Sequence, residues 1–227
     1  MLDRAVCTLT HKKDPRDAWR SLLGPSDRVG IKTNVWRHLR TPPALERSLA
    51  RRAGWAGVKA DAVRVDDRGA QKTLKDSTAL INVRPLRSHH WAGVGGCIKN
   101  YIPFVSKPWT YHPDSCADLG ALWNLPLVKG KTRLNVLLML TPLFHGRGPH
   151  HFAPQYLFSY RGLIVSRDPV AADAVGVKIL QDKRLEHFGK VVPFQTKTKH
   201  IQVAQTRHGV GIADPLRIDL TTLGWKG

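Results

Sequence analysis

Along this 227-residue chain, hydrophobic positions cluster at two spacings. Short apolar runs at 4–10 (RAVCTLT), 28–34 (RVGIKTN), 62–69 (AVRVDDRG), 78–83 (TALINV), 133–140 (RLNVLLML) and 162–166 (GLIVS) read as strands, with a last one at 217–220 (RIDL). TALINV is apolar enough without a break to be covered on both faces, and RLNVLLML is the strongest candidate for a central strand. Between these runs the spacing is helical. Asp14 before Pro15 opens one helix, in DPRDAWRSLL. The stretch TPPALERSLARRAGWAGV opens with Thr41 as cap and places Leu45, Leu49 and Ala53 on one face, with Arg47 and Arg51 elsewhere. RDPVAADAVGVKILQDKRL starts with Asp168 as N-cap and Pro169 in the first turn, and a further helix is expected at 197–208.

Strand and helix in alternation predict an α/β protein: a mostly parallel sheet with right-handed crossovers and helices on both faces. The length suits a single compact domain, with a loop-rich insertion at about 103–130 that carries Pro103, Pro108, Pro113 and Pro126. In such sheets the ligand crevice lies beyond the carboxyl ends of the strands. That rim collects Lys32 and Asn34, then Asp66, Asp67 and Arg68, then Thr141 and His145, then Ser166 and Asp168. It also collects the polar stretch RPLRSHHWAGVGGCIKN that follows TALINV.

Within that stretch, GVGGCIKN (93–100) has the glycines that let backbone N–H groups approach an anion, and Lys99 to supply charge. It has neither Walker A nor GxGxxG spacing, so by spacing alone an ordinary tight turn competes with an anion site. The company of Arg87, His89 and His90 on one side and Lys99 and Asn100 on the other favours the site. Asp173, in VAADAVGV, is a carboxylate among small apolar residues near a helix start and needs a partner. Asp168, directly before Pro at a helix start, reads as a cap ahead of a catalytic carboxylate. Paired histidines at 89–90 and 150–151, with His112 and His145, supply imidazoles, but no HExxH pattern accompanies them. Cys97 reads as a small buried residue, with a nucleophile or ligand role as the alternative.

Charge widens the field of partners. The 36 Lys and Arg against 17 Asp and Glu leave a net charge of +19, which favours phosphates, carboxylates, nucleic acid or anionic membrane surfaces. Basic residues are spread over nearly every segment, so a nucleic-acid or polyanion binder has net charge as its whole basis. Cys7, Cys97 and Cys116 are far apart without CxxC spacing, so neither a zinc finger nor an iron–sulfur cluster is supported by this chain's cysteines. The N-terminus lacks the apolar core of a signal peptide and no run approaches a membrane helix, which predicts a cytoplasmic protein, or a periplasmic one if an export signal was removed.

The segments VGIKTN, LINVRPLRSHHWAGVGGCIKN, YHPDSCADLGAL, LNVLLMLTPLFHG, LIVSRDPVAADAVG and HGVGIADPLRIDL, in this order, resemble the domain of unknown function family 362, from about residue 4 to residue 220. The resemblance implies an α/β fold and, through relatives fused to iron–sulfur modules or exported by a twin-arginine signal, a redox or metal link. Its matching motif positions are Lys32, Asn34, His89, Gly96, Lys99, Asn100, His112, Asp168 and Asp173. Two departures stand out: Arg87 where the family usually has Lys, and Arg84 where it commonly has Pro. An always-charged guanidinium cannot serve as a base in place of that Lys.

The resulting expectation is an enzyme-like domain that binds an anionic small molecule in a basic, histidine-containing crevice. Lys32, Asn34, Arg87, Gly95, Gly96, Lys99 and Asn100 are the expected anion-binding residues. His89, Lys99, His112 and Asp173 are the candidate catalytic set, with Asp173 orienting Lys99 or a cation. A metal-assisted version, with a divalent ion, draws on His89, His112 and Asp173. A structural or interaction protein that has lost activity is the third reading, motivated by Arg84 and Arg87.

Overall fold

The computed structural model describes residues 1–148 and 150–224. Its sheet runs in the order β2 (Val63–Asp66), β1 (Val29–Lys32), β3 (Ala79–His89), β5 (Thr132–Leu143), β6 (Gly162–Ser166), with β4 (Gly93–Gly95) folded back on β3. β1 is parallel to β2 and to β3, and β3 is parallel to β5. The expected α/β fold with a mostly parallel sheet is therefore present; the exceptions are β4, antiparallel to β3, and β6, antiparallel to β5 at the edge.

Helices cover both faces. On one side α1 (Leu2–Thr10), α2 (Pro15–Arg20) and α3 (Pro43–Trp55) bury Val6, Trp19, Leu49 and Ala53 against Ile31, Ile81, Val83 and Val136 of the strands. On the other, a 3₁₀ segment at Ile98–Phe104, a second at Ala117–Asn124, α6 (Pro169–Phe188) and α7 (Lys199–Thr206) pack on Leu80, Leu86 and Leu137. The single turns α4 (Ala70–Thr73) and α5 (Pro113–Cys116) lie between these elements. Alternation along β3 sends Ile81 and Val83 to the first side, and Leu80, Asn82 and Leu86 to the second.

Several expectations are corrected. Residues 4–10 form helix α1, because Leu2 and Val6 at a spacing of four reach the core while Asp3 receives Arg52 and Trp19 from the neighbouring helices. A run this short fits either period, and tertiary partners chose the helix. Residues 217–220 are not a strand; a 3₁₀ turn at Pro215–Arg217 ends the ordered elements. Thr41 does not cap α3, whose N-cap is Pro42; its hydroxyl instead accepts from the Asn34 amide at 3.2 Å and ties down the loop after β1.

The strand read at 78–83 runs on to His89, and all eleven of its residues are buried. Arg84 and Arg87 thus lie within a central strand rather than beyond it. Pro85 cannot donate to the ladder, and the pairing of β3 with β5 slips between Pro85 and Arg87. That irregularity re-aims the last three residues of β3 at the rim of the sheet.

Candidate functional site

Lys32 ends β1 fully buried, its Nζ 2.5 Å from Asp67 Oδ1 and 2.8 Å from the Thr33 carbonyl. Burial pulls this lysine down to about 8, against the attraction of Asp67. Burial works to raise Asp67, yet the Lys32 ammonium and the Val35 amide hold it below the usual carboxylate range. Asn100 fastens the 3₁₀ segment to the sheet: its Nδ2 reaches Asn82 Oδ1 at 2.8 Å and the carbonyls of Lys32 and Val83, both at 3.1 Å. Lys32 and Asn100 therefore spend their hydrogen bonds inside the protein.

The glycine loop does hold an anion, and the anion is the protein's own. Asp173, fully buried in the second turn of α6, accepts from the Cys97 amide at 2.6 Å and the Ile98 amide at 2.9 Å, which are unpaired donors at the start of the 3₁₀ segment. Burial lifts Asp173 to about 6, while the two amides and Arg84 draw it down. Gly96 is where the loop passes closest, and a Cβ there would fall 2.5 Å from Asp173 Cγ. Gly95 makes room in the same way for Arg84, with a would-be Cβ 2.9 Å from Nη2. Asp173 thus orients the loop rather than the Lys99 side chain.

Four cations remain to be accounted for. Lys32, Arg84, Arg87 and Lys99 are all buried, and of these Lys32 alone forms an ion pair with a described carboxylate. Arg87 donates to Asn34 Oδ1 at 3.3 Å and lies 4.5 Å from the Trp36 ring centre. Lys99, 4 % exposed, has the Cys116 thiol at 3.7 Å as its partner. Burial brings Lys99 to about 8, and Arg84 and Arg87 push the same way. The Nε atoms of Arg84 and Arg87 have no hydrogen-bond partner among the described residues. Arg184 shows what a structural buried arginine looks like here: it donates to the carbonyls of Val192, Phe144 and Pro193.

Imidazoles surround these cations. His89 accepts from the Trp91 amide at 3.2 Å through Nδ1, which puts the proton of its neutral ring on Nε2. Burial and then the charges of Lys99, Arg84 and Arg87 drive its pKa far down, so it stays neutral. His112, packed 4.1 Å from Trp91, is lowered to about 4 by burial and Lys99. His200, which the sequence reading did not select, is fully buried on α7 with both ring nitrogens unpartnered among the described residues. Burial and then Lys99 and Arg84 lower it to about 3. The adjoining run of basic residues disguised it as part of a solvated charged segment.

Lys99 is therefore close enough for its charge to act on His89, His112 and His200, while Arg84 and Arg87 act on His89 and Lys99, and Arg84 on His200. Asp173 joins through Arg84. His145 is held elsewhere by Arg184 and Tyr156, and Asp168 caps α6 while tethering the Ile212 amide. Among the described residues, no group of three or more His, Cys, Asp or Glu is placed to hold a metal ion. His89, His112 and Asp173 do not make such a set, because the Asp173 carboxylate is taken by backbone amides. The three cysteines are free, with Cys97 and Cys116 in separate packing clusters, so the donors for an iron–sulfur cluster are not assembled either.

Asp114, Ser115 and Cys116 lie consecutively at positive φ, 47°, 62° and 60°, a conformation that costs about 1–3 kcal/mol for each such residue. This strained turn delivers Cys116 to Lys99 and leads on from His112. Among the described residues, no helix is long and apolar enough to cross a membrane. A family model described as Domain of unknown function (DUF362) matches residues 48–178, which takes in His89, the glycine loop, Lys99, His112 and Asp173 but neither Lys32 and Asn34 nor His200. No curated protein and no solved structure matches the chain.

Proposed function

The chain belongs to the DUF362 family, and from that footing we propose that it is an enzyme-like domain binding an anionic small molecule in the basic, histidine-containing crevice at the carboxyl ends of β1 and β3. One observation carries this reading. Lys32, Arg84, Arg87 and Lys99 are buried against two carboxylates, Asp67 and Asp173, leaving two positive charges without a counter-charge. Buried charges are normally paired, and an unpaired buried donor costs about 1–3 kcal/mol. Both the charge surplus and the free donors of Arg84, Arg87 and His200 are relieved by a bound anion.

The same arrangement suits chemistry in which negative charge grows. Cations fixed in a water-poor site stabilise a developing oxyanion without reorganising at the moment of reaction. Lys99, at about 8, exchanges a proton close to neutral pH, and His89 and His200 offer neutral rings that donate or accept. Arg84 and Arg87 neutralise charge and position the anion; neither serves as a base.

Thermal unfolding of the full chain in inorganic phosphate, against chloride at equal ionic strength, tests the reading. An anion at a hundredfold excess over its Kd adds about 2.7 kcal/mol. For a chain of this length that raises Tm by about 5–11 °C. The rise should vanish in the double variant Arg84→Met/Lys99→Met. An undiminished, steeply salt-dependent rise in that variant would assign the binding to the basic surface and overturn the crevice reading.

A further inference from the structure

We infer that the anion bound in the crevice carries a planar aromatic or heteroaromatic ring, stacked at the mouth beside Trp91 while its acidic group reaches Arg84, Arg87 and Lys99. This rests on the anion reading and goes on to name the class of ligand.

Next to the buried cations lies a cleft of 510 Å³ lined by Trp36, Arg37, His38, Arg68, His150 and Phe152. That volume is in the range of about 300–1,000 Å³ occupied by organic ligands and is far more than a bare inorganic anion fills. Trp36 joins the two regions, because the face of its ring lies over the Arg87 guanidinium at 4.5 Å. Ring faces continue around the mouth. His38 stacks on Phe152 at 4.4 Å, His90 meets His150 at 4.4 Å, and Trp91 meets His150 at 5.4 Å and His112 at 4.1 Å.

Trp91 is 42 % exposed although its backbone amide is tied to the buried His89. A large ring is thus held half in solvent, against His112 and beside the His150 that lines the cleft. The walls alternate flat π faces with guanidinium and imidazole groups, which suits an electron-rich flat ring on stacking and cation–π grounds. An aliphatic chain gains little from such walls, because it would cover polar groups without pairing them.

Matched probes that differ by the ring test the inference on the full chain: adenosine 5′-monophosphate against ribose 5-phosphate, and benzoate against acetate, followed by tryptophan fluorescence and calorimetry. Stacking on one aromatic side chain is expected to tighten the ring-bearing member of a pair by about 5- to 100-fold. Trp91→Ala should erase that gain and leave ribose 5-phosphate binding unchanged. Equal affinities within both pairs overturn the ring inference while leaving the anion reading intact. Failure of all four probes and of inorganic phosphate to bind overturns the anion reading itself.

Discussion

Replacing Gly96 by alanine tests whether the glycine loop is built around Asp173. The new Cβ would stand 2.5 Å from Asp173 Cγ and 2.7 Å from Oδ2. Carbon atoms rest at about 3.5–4.0 Å, so the carboxylate must retreat by about 1 Å. It has no slack for this, because it is fully buried and held by the Cys97 and Ile98 amides at 2.6 and 2.9 Å. Hydrogen bonds to a charged group contribute about 1.5–3 kcal/mol each, so losing both costs about 3–6 kcal/mol. That is a drop in Tm of about 6–24 °C for a chain of this size. Gly96 has no left-handed backbone to strain, so the cost is assigned to the carboxylate and not to φ. Asp173→Ala loses the same two bonds without the clash. In the double variant Gly96→Ala/Asp173→Ala the two costs should therefore overlap, falling short of their sum by about 3–6 kcal/mol, the value of the two bonds that each single variant loses. Urea unfolding of the four proteins gives this coupling. A Gly96→Ala protein within about 1 kcal/mol of wild type, or strictly additive costs, would refute the reasoning.

Two further outcomes follow from the same site. Without added anion, Arg84→Met should be more stable than wild type by about 1–3 kcal/mol, since it removes an unpaired buried donor and lowers the surplus of buried positive charge by one. A loss of about 3–5 kcal/mol in urea unfolding would instead mean that Arg84 is one half of a structural ion pair with Asp67 or Asp173. Asp173, at about 6 in the folded protein because of burial, lies above the unfolded aspartate value of about 3.9. The group therefore favours the folded state fully below about pH 4, and that contribution is lost as pH rises through about 6, a swing of about 3 kcal/mol. The stability of wild type minus that of Asp173→Asn should fall across this window and level off above it; a flat difference between pH 4 and 7 would defeat the assignment.

Much of the architecture was legible because it depends on local period and local chemistry. The Val29–Lys32, Val63–Asp66 and Thr132–Leu143 strands announce themselves by apolar runs, and Asp14-Pro15 and Asp168-Pro169 mark two helix starts by satisfying the first free amides. The carboxyl-end rule points to Lys32, Arg87, His89 and Lys99 from the sequence alone, since a parallel sheet leaves its crevice there. Residues 4–10 are ambiguous in sequence because seven residues with Val, Cys and Thr fit either period, and the pairing of Asp3 with Arg52 from another helix decides for the helix.

The chain's order alone thus determined a mostly parallel α/β sheet and the rim on which polar chemistry collects, because hydrophobic period and capping act over a few residues. Tertiary structure decided what each polar group is for. It spent Lys32 on Asp67 and Asp173 on the glycine-loop amides, left Arg84 and Arg87 with unpaired donors, and brought His200 to the cluster from more than a hundred residues away. Whether a buried charge is satisfied depends on partners distant in the chain and on the loss of water around it, and neither is written in local sequence.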